Sequence, residues 1–76
     1  MRYFSYNEYD PDNPLADSEG GYVVTYSENE IREKYWPYWY SRMCQKYEQA
    51  YVDEYYSFED CLCDWIAVYW AWEVKG

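Results

Sequence analysis

Ser27-Glu28-Asn29-Glu30 is a helix-start signal that divides the chain into two stretches of different periodicity. A Ser hydroxyl at an N-cap accepts from the backbone N–H three residues on, and a Glu at that position reaches back to the N-cap N–H. Ahead of this box, Arg2 to Tyr9 alternates and is rich in Tyr and Phe, which predicts a strand. Tyr22-Val23-Val24-Thr25-Tyr26 predicts a second, β-branched strand. Between them, Asp10 to Gly21 carries two prolines, two glycines and several Asp and Asn residues, the composition of a long loop.

Behind the box, apolar residues recur at helical spacing. Ile31 and Tyr35 share one face. Pro37 lacks the N–H that a helix interior needs, so the first helix is expected to stop or kink near Trp36, with Pro37 opening a second. Trp39, Tyr40, Met43, Cys44 and Tyr47 then form an apolar stripe opposite Arg42, Gln45 and Lys46. Ser57 caps a further helix with Phe58, Cys61, Leu62, Trp65 and Ile66 on one face. Residues 67–74 satisfy both periods, and their β-branched and aromatic content favours a strand. The expected architecture is α+β in the order ββαααβ: a small antiparallel sheet of about three strands backed by two or three short helices. All of it falls within a single domain, residues 1–76.

A body of 76 residues cannot bury 13 Tyr, 5 Trp and 2 Phe together. Many tyrosines are therefore expected at the surface, the ring half covered and the hydroxyl wet, as interfaces favour. Fifteen acids against six bases leave a formal charge of −9 with no histidine. A surface this negative repels nucleic acid and anionic membranes and attracts basic protein surfaces. The charge is segregated. Residues 1–30 hold seven acids and one base, residues 31–48 four bases and two acids, and residues 49–76 six acids and one base. Met1 to Ser5 lacks the apolar core of a signal peptide and no run reaches the ~18 apolar residues of a membrane span. Three cysteines, an odd number, do not read as a disulfide framework. A cytoplasmic protein is expected.

Two acidic groups are the candidate partner-binding residues. The first is Glu8, Asp10, Asp12, Asp17 and Glu19. Alternate residues of an extended segment lie roughly 6.6–7.2 Å apart, and DNA advances about 3.4 Å per phosphate on each strand. The spacing suits an imitation of phosphates, although turn formation alone also explains Asp in such a loop. The second group is Asp53, Glu54, Glu59, Asp60 and Asp64. Glu59 and Asp60 fit the start of the third helix, where negative charge is favourable. Asp64 lies a turn further on with no Lys or Arg near it in sequence. Tyr38, off the apolar stripe, is the candidate aromatic anchor, whereas Trp36, Trp39 and Tyr40 read as core.

Other chemistries are poorly supplied. Asp10, Asp12 and Asn13 open like a calcium loop, but its sixth and twelfth positions hold Leu15 and Gly21. Cys61 and Cys63 have only the remote Cys44 and no histidine to complete a zinc set; Cys44 and Cys61 read as buried structural thiols. There is no histidine base, phosphate-cradling glycine loop or nucleophile motif, so neither an enzyme nor a cofactor is expected.

With the acidic runs at 8–19 and 53–64, the aromatic framework and no active-site motif, the chain resembles the small acidic anti-defence proteins of tailed phages. These include anti-CRISPR proteins and other DNA mimics that inhibit nucleases. Phe58 to Ile66, continuing through Trp70-Ala71-Trp72, is also similar to small phage open reading frames. The resemblance is one of class, covering size, charge and acidic runs, and carries over no residue by alignment. It implies an inhibitor acting in the host cytoplasm. Such an inhibitor blocks the basic DNA- or RNA-binding surface of a CRISPR effector subunit, a nuclease or another nucleic-acid-binding protein. Arg32, Lys34, Arg42 and Lys46 depart from a uniformly acidic mimic and suggest one acidic face. The competing expectation is an aromatic-led interaction module, whether homodimer, antitoxin or transcription-machinery binder, in which the acids serve solubility.

Overall fold

The computed structural model describes residues 1–75. Strand β1 (Tyr3–Tyr9) pairs antiparallel with β2 (Gly21–Ser27), and Ser27 at once caps helix α1 (Glu28–Lys46). Helix α2 (Gln49–Tyr55), helix α3 (Phe58–Tyr69) and strand β3 (Trp72–Val74) complete an α+β fold in the order ββαααβ. The sheet is antiparallel with strand order β2-β1-β3.

The capping box forms as its sequence requires. Glu30 N–H donates to Ser27 Oγ at 3.2 Å and Ser27 N–H donates to Glu30 Oε1 at 3.1 Å. Strand parity then decides what each sheet face holds. Phe4, Tyr6, Val24 and Tyr26 point towards the helices. There Phe4 and Tyr6 meet Trp65 edge-on at 6.4 and 5.7 Å. Ile31, Trp39, Phe58, Cys61 and Leu62 close the core around them. Among the described residues, no core member comes from the opposite face of the sheet, and the helices pack on the face of Phe4 and Tyr6.

Two boundary expectations are corrected. Helix α1 does not stop at Pro37 but runs through it for 19 residues. The proline forfeits one backbone hydrogen bond, at a cost of about 3 kcal/mol. Packing on both sides of it offsets that cost. Trp36 stacks on Trp39 at 5.7 Å and meets Phe58 edge-on at 6.1 Å, while Trp39 meets Tyr56 at 5.8 Å. A break at residue 37 would separate rings that bury together. The middle helix of the order is instead α2, seven residues with Val52 fully buried. The second correction concerns residues 67–74. Residues 67–69 finish α3, Trp70 turns the chain in the left-handed region (φ 55°, ψ 39°), and only Trp72–Val74 is strand. The helical period wins because Tyr69 packs on Tyr6 at 4.8 Å and on Trp65 at 5.3 Å.

Candidate functional site

The loop Asp10–Gly20 is built from its own acids. Asp10 Oδ1 accepts from Asp12 N–H at 3.1 Å, and Asn13 Oδ1 from Leu15 N–H at 2.8 Å. Asp17 Oδ1 accepts from both Glu19 N–H and Gly21 N–H, at 2.8 and 3.0 Å. These amides hold the Asp17 carboxyl below its ordinary range, Gly21 contributing most. Gly20 closes the loop at φ 87°, and a Cβ there would lie 2.8 Å from the Tyr9 ring, so only glycine fits. Glu8 Oε1 accepts from Tyr9 N–H at 3.2 Å. Asp12 and Glu19 are exposed, and among the described residues their carboxylates hold no hydrogen bond. The loop is thus braced by Asp10, Asn13 and Asp17, while the Asp12 and Glu19 side chains stay exposed.

The second acidic group is more committed. Asp60 accepts from Ser57 N–H at 2.8 Å and from its hydroxyl at 3.3 Å, capping α3. Glu59 pairs with Arg2, which also pairs with Glu28 and so ties the starts of β1, α1 and α3 together. Arg2 draws the Glu28 carboxyl below its usual range. Asp53 accepts the Tyr40 hydroxyl, a bond that pushes this phenol up to about 12. Asp64 accepts from Tyr35 at 3.2 Å; burial first, then that carboxylate, pushes Tyr35 up to about 12. Glu54 is exposed on α2. Asp64 also shares a recess of about 160 Å³ with Arg42 and Lys46, cations that its sequence neighbourhood does not contain.

The two acidic groups are not brought together. Glu59 is bonded to Arg2 just ahead of β1, while Asp10 follows its last residue. Seven strand residues at about 3.3 Å each separate them by roughly 20 Å. The molecule measures 48 × 27 × 18 Å, long enough for two separate acidic regions.

Its cations do not neutralise them. Among the described residues, Arg2 makes the only ion pairs, which leaves thirteen of the fifteen carboxylates without a cation within 4 Å. Three of the four α1 cations rest on rings instead: Arg32 over Phe58 at 4.2 Å, Lys34 over Tyr26 at 5.4 Å, Arg42 over Tyr38 at 5.6 Å. A ring face holds a cation without consuming a carboxylate.

Tyr38 is exposed, as expected of an anchor, and of the thirteen tyrosines only Tyr6 is buried. Trp39 is core, while Trp36 and Tyr40 are half-buried. Cys61 is fully buried, and that burial pushes its thiol up to about 12. Cys44, read from sequence as buried, is half-buried. Two aromatic features escape the sequence reading. Tyr47, Tyr51 and Tyr55 form an exposed ladder with ring centroids 5.2 and 4.7 Å apart. Trp70 is 88% exposed at a left-handed position. An exposed ring on a strained backbone is a pattern found at contact sites. No glycine or asparagine in the sequence marks that turn.

A cleft of about 220 Å³ between sheet and helices is lined by Tyr6, Tyr26, Lys34, Tyr35, Trp65 and Tyr69. It is below the roughly 300–1,000 Å³ usual for small-molecule sites. Among the described residues no three His, Cys, Asp or Glu side chains are placed to hold a metal ion, and no helix is long and apolar enough to cross a membrane. Comparison with family models, curated proteins and solved structures finds no match to the chain.

Proposed function

We propose that this protein is a non-catalytic inhibitor of the anti-defence type, acting in the cytoplasm by docking carboxylates on the basic surface of a nucleic-acid-handling protein. The observation that carries the reading is the retention of charge. Thirteen carboxylates lack a cation partner, while four of the six cations lie over aromatic rings. Such a field steers encounter with a basic surface and supplies charge-assisted hydrogen bonds to its Arg and Lys groups. The hairpin loop leads, because Asp12 and Glu19 project from a braced backbone with nothing else to bond. Exposed rings such as Tyr38 and Trp70 then prolong the contact.

The test is capture of host proteins on the immobilised chain at about 0.05 M and about 0.5 M salt, conditions on either side of a ~10 Å screening length. The Asp12→Asn/Glu19→Gln double variant is run beside it. Captured proteins should be nucleic-acid binders, displaced by salt, by duplex DNA or RNA, and by the double substitution. Capture indifferent to all three would refute the reading.

A further inference from the structure

We infer that the helix-free face of the sheet is a homodimer interface, formed by face-to-face packing with a second copy of the chain. The residues pointing that way are Tyr3, Ser5, Asn7 and Tyr9 of β1, Gly21, Val23, Thr25 and Ser27 of β2, and Trp72 and Val74 of β3. None of the ten carries a charge, in a chain whose formal charge is −9. The solvated face of an antiparallel sheet is ordinarily polar. Here it presents Tyr3, Tyr9, Val23, Trp72 and Val74 at 46, 69, 55, 42 and 39% exposure, and none of them packs on the core.

Area and chemistry both point to a second copy. At about 200 Å² per ring, Tyr3, Tyr9 and Trp72 leave roughly 300 Å² uncovered, and the valines, Asn7 and Thr25 raise the face to about 500–600 Å². Two such faces bury about 1,000–1,200 Å², which reaches the threshold of roughly 1,000 Å² for a specific interface. At its centre Ser5 Oγ and Thr25 Oγ1 bond each other at 2.7 Å, so one of the two hydroxyl protons already has its acceptor when the face is covered. Apart from Asp17 at its rim beside Gly21, the face offers a basic target no carboxylate, so it does not serve the docking led by Asp12 and Glu19 and stands independently of it. Sheets stack about 10 Å apart, and a two-fold axis through this face leaves the helices of each copy on the outside. Two sheet-and-helix layers from each copy thereby make a four-layer sandwich with the two open sheet faces inside.

Sedimentation equilibrium over a concentration series, at low and high salt, tests the inference. The expected mass at high concentration is twice that of the chain. Dimerisation should strengthen with salt, because screening relieves repulsion between two bodies of −9 while no ion pair crosses the interface. Trp72→Lys and Val23→Lys each place an ammonium within the face and should weaken dimerisation at least tenfold, although each lowers the overall repulsion. Leu15→Lys, at an exposed loop position off the face, should preserve the dimer. Val23 lies on an edge strand, so its variant carries the test should Trp72→Lys lose its native circular dichroism. A monomer mass at every concentration, a dimer surviving both face substitutions, or a dimer dissolved by salt would overturn the inference. The capture experiment reads a different surface and is scored separately.

Discussion

Trp70 turns the chain from α3 into β3 at φ 55°, with its N–H and that of Ala71 both directed at the Ile66 carbonyl. For a residue with a Cβ, this conformation costs roughly 1–2 kcal/mol. Glycine escapes that cost but loses about 0.5–1 kcal/mol to the greater freedom of its unfolded chain. The indole is 88% exposed, so removing it forfeits roughly 30 Å² of burial, or about 0.7 kcal/mol. These three quantities nearly cancel in Trp70→Gly, which makes that variant alone a poor test. The informative quantity is its difference from Trp70→Ala. Both lose the same indole, but alanine keeps the left-handed strain. Glycine should therefore be the more stable of the two by about 0.5–1 kcal/mol, a gap of roughly 3–6 °C in a domain of this size. Thermal melts followed by circular dichroism on both variants measure it directly. An alanine variant melting as high as the glycine variant would refute the account of strain. If the ring also serves as a contact residue, Trp70→Gly keeps its fold while capturing less target.

Asp17→Ala should lower the melting midpoint, because it removes the acceptor for two loop amides, whereas Asp12→Ala should leave the midpoint unchanged or raise it. The Asp17 carboxyl sits below its ordinary 3.8, so its contribution is present above that value and lost as pH falls through the depressed one; the two variants should converge in acid melts. At alkaline pH the sign comes from groups pushed upward: Tyr6, Tyr35, Tyr40 and Cys61 stand at about 12 in the folded chain, against ordinary values of 10 for tyrosine and 9 for cysteine. The unfolded chain releases these protons first, so urea midpoints should hold steady to about pH 9 and then fall towards 12, with Cys61→Val delaying the onset to about pH 10.

What the sequence makes legible is whatever is local and periodic. The capping box at Ser27, the Pro- and Gly-rich loop between two short strands, and the stripe from Phe58 to Trp65 are each signalled by residues close together in the chain. The continuity of α1 through Pro37 depends on Phe58 and Tyr56, some twenty residues away, which no local rule includes. Helix α2 has one buried residue in seven, too little for an apolar period to emerge. The left-handed turn at Trp70 carries none of the usual glycine or asparagine. At the candidate site, the sequence supplies the acids but not their occupations. Asp17 and Asp60 look like Asp12 and Glu54 until the fold gives the first pair amides to hold and leaves the second pair free.

The placement of charge follows from one register. Pairing Tyr3 with Ser27 and Tyr6 with Val24 turns Glu8 and Glu73 to the helix side of the sheet and leaves only uncharged strand residues on the other, with Asp17 of the loop at its rim beside Gly21. A slip by one residue would exchange the two sets, exposing Phe4 and Tyr6 and placing carboxylates on the open face. The core therefore enforces the register, and the register keeps the acids of the strands themselves off the open sheet face. Elsewhere carboxylates are held by amides and phenols, donors that brace a side chain without cancelling its charge. Two surfaces of opposite electrostatic character result, and ionic strength acts on them in opposite directions. On the two proposals made above, salt should weaken an encounter that depends on thirteen unpaired carboxylates and strengthen one between two uncharged strand faces whose bodies repel. A single salt titration, read for target capture and for self-association, separates the two contacts, and both moving the same way would contradict this division of the surface.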